Sequence, residues 1–206
     1  MKGDLTMDKY LQSTEIIDWK HPEVLEIARS LCADTEDLEE KAKRCYHWVR
    51  DEIKHSFDYQ LSPVTCSASE AMSAMTGYCF AKSHLLVALL RANGIPAVFC
   101  YQRLSRNNNG PPFTLHGLVA VYISPYGWYR VDPRGNRPDV DAQFTPPIER
   151  VAFHPSLAGE ADLPEIWPDP LPVVVEALRS HKTWDGLWEN LPDIELLTAN
   201  RQMGPG

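Results

Sequence analysis

The fold of this chain is decided by residues 67–97, whose sequence is SASEAMSAMTGYCFAKSHLLVALLRANGIPA. Ser67 and Glu70 have the spacing of a capping box, in which the two side chains bind each other's free backbone N–H groups. They predict a short helix, which Gly77 is expected to end. Cys79 follows two residues later, where the apolar pattern of a second helix begins. The stretch therefore predicts two helices with a cysteine at the joint between them.

The second helix is expected to be buried on nearly all sides. Apolar residues crowd its middle: Leu85, Leu86, Ala88, Leu89 and Leu90. Such a distribution leaves no broad polar face for solvent. Asn93, Gly94 and Pro96 predict its end, since glycine favours the left-handed position past the last turn and proline blocks continuation.

Cys79 is the first candidate for chemistry. A thiol at a helix N-terminus lies near unpaired N–H donors and the positive end of the helix dipole, and both favour the thiolate. Most free cysteines are nevertheless buried as small apolar side chains, and only about one in twenty would be a nucleophile on that basis. The position alone does not decide whether Cys79 is a nucleophile or a packing residue. Residues further along the chain are needed to decide.

Three strands are predicted after the helices. They cover residues 97–104, 115–123 and 127–132, which are rich in Val, Tyr, Phe and Ile and are separated by turn signals. Only residues 124–126 join the last two strands. This connection is short enough for a hairpin, which makes those strands antiparallel neighbours.

His116 and Asp132 fall near the open end of this hairpin. In an antiparallel pair centred on Pro125, facing positions have numbers that sum to about 250, and these two sum to 248. Facing side chains come within about 5 Å of each other. A carboxylate there can hold one nitrogen of the imidazole and leave the other for a thiol. Cys79, His116 and Asp132 are therefore the predicted nucleophile, base and orienting group of a catalytic triad.

Three segments of the chain resemble the motif blocks of the bacterial transglutaminase-like superfamily, whose core is related to papain-like cysteine proteases. They are GYCFAKSHLLVALLRANGIPA (77–97), LHGLVAVYI (115–123) and GWYRVDPRGN (127–136). The resemblance extends from about residue 41 to residue 136 and keeps the order Cys, His, Asp. It places the family's nucleophile on Cys79, its base on His116 and its orienting carboxylate on Asp132.

Two details depart from the commonest pattern of this family. Gly117, Leu118 and Val119 follow the histidine, where many relatives carry an aromatic and an acidic residue. Lys82 and His84 follow the cysteine, where small or acidic residues are frequent. The three triad positions are unaffected, whereas the substrate class is left open.

The resemblance implies an α+β fold of the papain/transglutaminase type. A helical part carrying the cysteine would pack on an antiparallel sheet carrying the histidine and the aspartate. Residues 1–136 would form this core, including the N-terminal helices. Residues 137–206 would form a proline-rich extension with short helices packed on the same domain, since nine of the 17 prolines lie between residues 133 and 172.

The implied chemistry is acyl transfer through a thioester, which cleaves an amide or peptide bond of a peptide or protein substrate without a cofactor. The backbone N–H of Cys79 would bind the oxyanion. Trp48 or Tyr59 could add a second donor, although both are more simply packing residues. Hydrolysis is the first expectation because water is the default acceptor. Transfer to an amine, which gives protein crosslinks, is the alternative within the enzyme class.

Two further hypotheses stay open at this point. The chain could be a catalytically silent scaffold that binds a peptide or a partner protein, because a helix-start cysteine and a strand histidine also occur as packing residues. Cys79, His84 and His116 could instead form a metal site. The closely spaced Cys pairs of structural zinc sites are missing, however, and this absence also separates the chain from the peptide N-glycanase branch of the superfamily.

Composition limits the remaining function classes. With 206 residues and 44% hydrophobic content, the chain can form one domain with a sizeable core. No apolar run of about 18 residues and no charged start before an apolar stretch occur, so neither a membrane span nor a secretory signal is expected. Five scattered cysteines favour free thiols and a cytoplasmic location. The net charge of −8 disfavours nucleic acid as a partner, and the oligomeric state is not indicated.

Overall fold

The structure, a computed structural model, describes residues 7–194 and residue 196. Within that part of the chain, helices pack on a four-stranded antiparallel sheet, which is the α+β class expected from the sequence. The α-helices are α1 (Pro22–Cys32), α2 (Leu38–Glu52), α3 (Ser56–Tyr59), α4 (Ala68–Ala74), α5 (Cys79–Ala92), α6 (Pro172–Ser180) and α7 (Trp184–Glu189). The strands are β1 (Lys54–His55), β2 (Thr76–Gly77), β3 (Ala97–Ser105), β4 (Phe113–Ile123), β5 (Gly127–Val131) and β6 (Ala161–Asp162).

Helix α4 begins with the capping box predicted from Ser67 and Glu70. The N–H of Glu70 donates to Oγ of Ser67 (3.2 Å), and the N–H of Ser67 donates to Oε2 of Glu70 (3.1 Å). The expectation that Gly77 ends the helix is wrong, because Met75 already takes the left-handed conformation at φ +52°. Gly77 lies in β2, where a Cβ would come within 3.0 Å of Ala81 Cβ. Its missing side chain therefore lets β2 run directly into α5.

Helix α5 is the centre of the helical layer. Every residue from Cys79 to Arg91 is buried, as the apolar distribution predicts. Helices α1, α2 and α4 contact it, and so do strands β3 and β4. Gly94 follows the end of the helix and takes the left-handed φ of +73° expected past a helix C-terminus. Burial of α5 fixes where its first residue, Cys79, lies relative to the sheet.

The four strands of the main sheet have the order β5-β4-β3-β6, with antiparallel neighbours throughout. In the β4–β5 hairpin, Val119 pairs with Val131 and Ile123 pairs with Gly127. Facing residue numbers therefore sum to 250, which is the register predicted from a turn centred on Pro125. On the other side of β4, Gln102 of β3 faces His116.

Residues 137–194 lie against this sheet and against the helices. Phe99 and Trp167 exchange two backbone hydrogen bonds of 2.8 and 3.0 Å, and β6 pairs with the edge of β3. Buried residues of α6 and α7 belong to the main core: Val174, Leu178 and Leu187. The division into 1–136 and 137–206 stays a prediction, and residues 1–6, 195 and 197–206 of those ranges fall outside the described residues.

None of the helices in the described part of the chain has the length and apolar character needed to cross a membrane.

Candidate active site

Cys79 is the first residue of α5, and Tyr78 is the N-cap. The first N–H groups of a helix have no partner within it, and no side chain among the described residues caps them here. The Tyr78 hydroxyl donates a hydrogen bond to the Trp184 carbonyl (2.6 Å), which ties the helix start to α7. Cys79 is only 7% exposed. Its thiol therefore lies at the shielded positive end of a helix.

The structure brings His116 and Asp132 together. Nε2 of His116 lies 2.7 Å from Oδ2 of Asp132. Asp132 follows directly after β5, and Val131 is the last strand residue, paired with Val119 three residues beyond His116. The two side chains thus meet diagonally at the open end of the hairpin. This is the neighbourhood that the hairpin register predicts.

Asp132 is fully buried and receives three hydrogen bonds. Oδ2 accepts from Nε2 of His116 and from the Ala152 N–H (3.1 Å), while Oδ1 accepts from the Arg134 N–H (3.1 Å). Burial favours the neutral acid. The charge and hydrogen bond of His116 and the two backbone N–H groups outweigh burial and lower the pKa of Asp132 below its ordinary value. The side chain is therefore a carboxylate that is held in one orientation.

The His116 ring lies between Asp132 and Cys79. Burial opposes protonation of the ring, but negative charge on Asp132 and Cys79 and hydrogen bonds to both side chains raise the pKa of His116 to about 10. Because Nε2 contacts Asp132, Nδ1 is the nitrogen left for the Cys79 thiol. The three residues predicted as a triad are thus adjacent in the order cysteine, histidine, aspartate.

Gly117 allows the histidine strand to pack closely on the cysteine helix. A Cβ at Gly117 would lie 2.8 Å from Cδ1 of Phe80, closer than side-chain atoms pack. The Gly117 carbonyl also accepts a hydrogen bond from Oγ of Ser83 (3.2 Å). The glycine after the histidine, one of the departures from the common family pattern, is explained by this close packing of β4 on α5.

Lys82, another departure, is fully buried one turn after Cys79. Its Nζ donates to the Arg50 carbonyl (3.1 Å) and to the Ile53 carbonyl, so it caps the C-terminus of α2. Burial and the nearby Arg134 lower the pKa of Lys82 to about 7. The Lys82 amine therefore has a structural role in joining α5 to α2.

His84 does not join Cys79 and His116. Its Nδ1 lies 2.6 Å from the Cys66 carbonyl, and its ring packs edge-on against Phe99. Burial lowers the pKa of His84 to about 4. The proposed metal trio is consequently not assembled, and no group of three or more His, Cys, Asp or Glu side chains among the described residues could hold a metal ion.

A cavity of about 420 Å³ opens beside Cys79 and His116. The proline-rich segment supplies part of its wall through Phe153, whose ring packs edge-on against His116 with centroids 5.1 Å apart. Phe57 of α3 and Trp188 of α7 supply another part, with ring centroids 4.1 Å apart. The extension is therefore part of the candidate site.

A larger cavity of about 710 Å³ lies elsewhere, between α4 and α6, and contains neither Cys79 nor His116. Trp48 and Tyr59, considered as oxyanion donors, line neither cavity. Trp48 packs on the core, and Tyr59 is 57% exposed. The N–H groups at the start of α5, which no described side chain caps, remain as candidate oxyanion donors.

Sequence reasoning missed one buried polar group, His55, which lines the smaller cavity together with Arg134. Arg134 contacts both carboxylate oxygens of Asp58 at 2.8 Å. His55 belongs to β1, which pairs with β2 immediately before Cys79. No local signal could have identified His55, because its place beside Cys79 depends on strand pairing with residues distant in sequence.

This geometry, a helix-start cysteine facing a histidine on an antiparallel sheet, defines the transglutaminase/papain-like class of α+β proteins. Residues 26–133, more than half of the chain, match the transglutaminase-like superfamily. The chain belongs to that superfamily.

Two solved structures of low sequence identity are similar to part of this chain. A putative cysteine protease from Cytophaga hutchinsonii is 22% identical with a TM-score of 0.50, and the match covers 65% of this chain and 43% of that one. The periplasmic domain of TgpA from Pseudomonas aeruginosa is 21% identical with a TM-score of 0.44, and the match covers 60% of this chain and 45% of that one. This chain thus spans less than half the length of either structure. No protein with a curated description matches it significantly.

Proposed function

We propose that this protein is a cysteine-dependent acyl-transfer enzyme that hydrolyses amide or peptide bonds through a thioester intermediate. Cys79 would be the nucleophile, His116 the general base and acid, and Asp132 the group that orients the imidazole. The observation that carries the proposal is the position of His116 between the Cys79 thiol and the Asp132 carboxylate, with Nε2 2.7 Å from Oδ2.

In the acylation step, the Cys79 thiolate attacks the carbonyl carbon and forms an S–C bond. The oxyanion that develops is stabilised by the free N–H groups at the start of α5. The His116 imidazolium donates its proton to the leaving nitrogen as the C–N bond breaks. Asp132 stabilises the imidazolium throughout and holds its tautomer after the proton has left.

In the deacylation step, neutral His116 removes a proton from water, and the resulting hydroxide attacks the thioester carbonyl. The C–S bond breaks, the acid is released, and Cys79 returns to the thiolate. Water is favoured over an amine as the acceptor because it is present at far higher concentration. Incorporation of an amine into substrate without release of acid would identify the crosslinking reaction instead.

A peptide or protein amide is the substrate class that the cavity supports. Apolar and aromatic residues line it beside polar groups, as in many binding sites of similar volume. The fold is similar to that of a putative cysteine protease from Cytophaga hutchinsonii, which is consistent with this substrate class. All five cysteines are free thiols, which supports a reducing compartment such as the cytoplasm as part of the proposal.

Alkylation of Cys79 by iodoacetamide as a function of pH tests the proposed ion pair. An ordinary thiol titrates near pKa 8.5, whereas a thiolate paired with an imidazolium reacts at much lower pH. We expect rapid alkylation at about pH 6 in the wild type and its loss in His116→Ala. Cys66 and Cys100 are internal controls, because burial raises their pKa values to about 11 and about 12.

Hydrolysis is tested with unfolded casein, by mass spectrometry of the products. Wild-type protein should release new peptide termini, and Cys79→Ser should release none. If Cys79 behaves as an ordinary thiol and no peptide or amine product forms, the enzyme proposal is wrong and the silent-scaffold hypothesis takes its place.

A further inference from the structure

His55 is a second buried histidine in the cavity that contains Cys79 and His116. It is 7% exposed. In the two-stranded parallel sheet, His55 pairs with Gly77, two residues before Cys79. Its ring packs edge-on against Tyr78, with centroids 5.5 Å apart. The backbone thus holds the His55 ring beside the start of the cysteine helix.

Nδ1 of His55 is buried and has no hydrogen-bond partner among the described residues. The nearest acidic oxygen is Oδ2 of Asp58, at 3.5 Å. A proton on Nδ1 is favoured over a lone pair there, because the lone pair would face a carboxylate. The ring nitrogen left for the cavity is then Nε2, as an acceptor.

Arginine side chains hold the carboxylates beside His55. Arg134 contacts both oxygens of Asp58, and Arg137 contacts Oδ1 of Asp58 at 3.0 Å and Asp139. His55 therefore offers an acceptor nitrogen, whereas Arg106 and Arg137, whose buried Nε atoms also lack a hydrogen-bond partner in the described part of the chain, can only donate. A substrate N–H entering the cavity would give Nε2 of His55 a hydrogen-bond donor.

The electrostatic surroundings keep the ring neutral. Burial and the positive charges of Arg134, Lys82, His116 and Arg137 lower the pKa of His55 well below its ordinary value. A neutral ring with its proton on Nδ1 can accept at Nε2 but cannot donate there. The group that fits this nitrogen is an N–H on the substrate.

We propose that Nε2 of His55 accepts a hydrogen bond from the N–H of the amide presented to Cys79, so that the cavity selects primary and secondary amides over tertiary amides and esters. This inference rests on the proposed function. His116 would deliver its proton to the lone pair of the leaving nitrogen, while His55 would hold the existing N–H. His55 would thus be a specificity residue that also orients the nitrogen.

Two alkylating reagents test the inference without a known substrate. Iodoacetamide carries N–H donors beside its carbonyl, whereas N,N-dimethyl-2-iodoacetamide has none. The ratio of their rates at Cys79 is divided by the same ratio for free cysteine. If one neutral hydrogen bond favours iodoacetamide, this normalised rate ratio should be about 2 to 12 in the wild type. In His55→Leu we expect a value of about 1, and His55→Gln should retain part of the preference through its amide oxygen.

Unfolded chains would give a value of 1 whatever the role of His55, so the rates are taken only for variants whose thermal unfolding shows them to be fully folded at the assay temperature. His21→Leu is the matched control, since His21 is exposed at the start of α1 and lines the other cavity. A wild-type value of 1, or an unchanged value in His55→Leu, would overturn the inference. Slow alkylation of Cys79 at low pH with the preference intact would overturn the proposed thiolate but support the role of His55.

Discussion

The backbone N–H of Ala152 donates to the same carboxylate oxygen of Asp132 that contacts His116, at 3.1 Å. Ala152 belongs to the proline-rich segment, 20 residues after Asp132. The neighbouring Phe153 packs on the His116 ring, and its carbonyl accepts from Nε2 of Gln102 (3.1 Å). The segment therefore fixes the histidine–aspartate pair as well as shaping the cavity.

Replacing Ala152 with proline removes the N–H that holds Oδ2 of Asp132. We expect the rate of Cys79 alkylation at about pH 6 to fall roughly tenfold, because losing one hydrogen bond to a charged group costs about 1.5 kcal/mol or more. The same change in an Asp132→Ala background should have no further effect. An equal loss in both backgrounds would show that the proline acts through the surrounding fold instead.

Asp132→Asn keeps the size of the side chain but removes the charge that stabilises imidazolium. We expect turnover, measured as peptide release, to fall on the order of 10²-fold or more, which is the usual contribution of general acid–base catalysis. Asp141→Asn is the control, since Asp141 is exposed and pairs with Arg150. Wild-type activity in Asp132→Asn would remove Asp132 from the proposed mechanism.

Because His116 is protonated in the folded protein, its contribution to the free energy of unfolding should be lost at alkaline pH. Its folded-state pKa of about 10 lies above the ordinary value of 6.5, so its stabilising effect is complete below about pH 6.5 and is lost as the pH rises through about 10. The free energy of unfolding of the wild type minus that of His116→Gln should therefore decrease over this window. Guanidinium titrations at about pH 6 and about pH 9.5 measure it, and a constant difference would contradict the ion pair.

The contribution of Lys82 to stability should change with pH in the opposite direction to that of His116. Its folded-state pKa of about 7 lies below the ordinary 10.5, so its contribution becomes more favourable as the pH rises from about 7 to about 10.5. Lys82→Met also leaves the Arg50 and Ile53 carbonyls without their donor, at about 1–3 kcal/mol each. The deficit of this variant in chemical denaturation should therefore grow with pH, whereas Lys43→Met, exposed on α2, should show no such trend. A deficit that shrinks with pH would refute this account.

Gly117→Ala should separate β4 from α5. The new Cβ would lie 2.8 Å from Cδ1 of Phe80, and overpacking of this kind costs about 1–3 kcal/mol. Thermal unfolding should show the loss, and slower Cys79 alkylation should accompany it because His116 moves away. Adding Phe80→Leu should restore much of the stability, and a double variant no more stable than Gly117→Ala would point to another cause.

Local patterns determined much of the structure. The capping box at Ser67, the burial of α5 and the hairpin register depend on residues close in sequence, so propensity and periodicity sufficed to predict them. The register also predicted that His116 and Asp132 would lie close together, because the short turn at Pro125 leaves little freedom in strand pairing. The family followed from the same segments.

Other features were decided by the tertiary structure alone. The contact of Ala152 with Asp132, the cap that Lys82 places on α2 and the position of His55 beside Cys79 join segments that no local pattern relates. The end of α4 was mispredicted. The helix ends at Met75, and Gly77 lies in β2, where it packs closely against Ala81. The sequence by itself determined which residues could do chemistry and on which elements they lie. Their protonation and partners depended on burial and on charges that only the packed chain brings together.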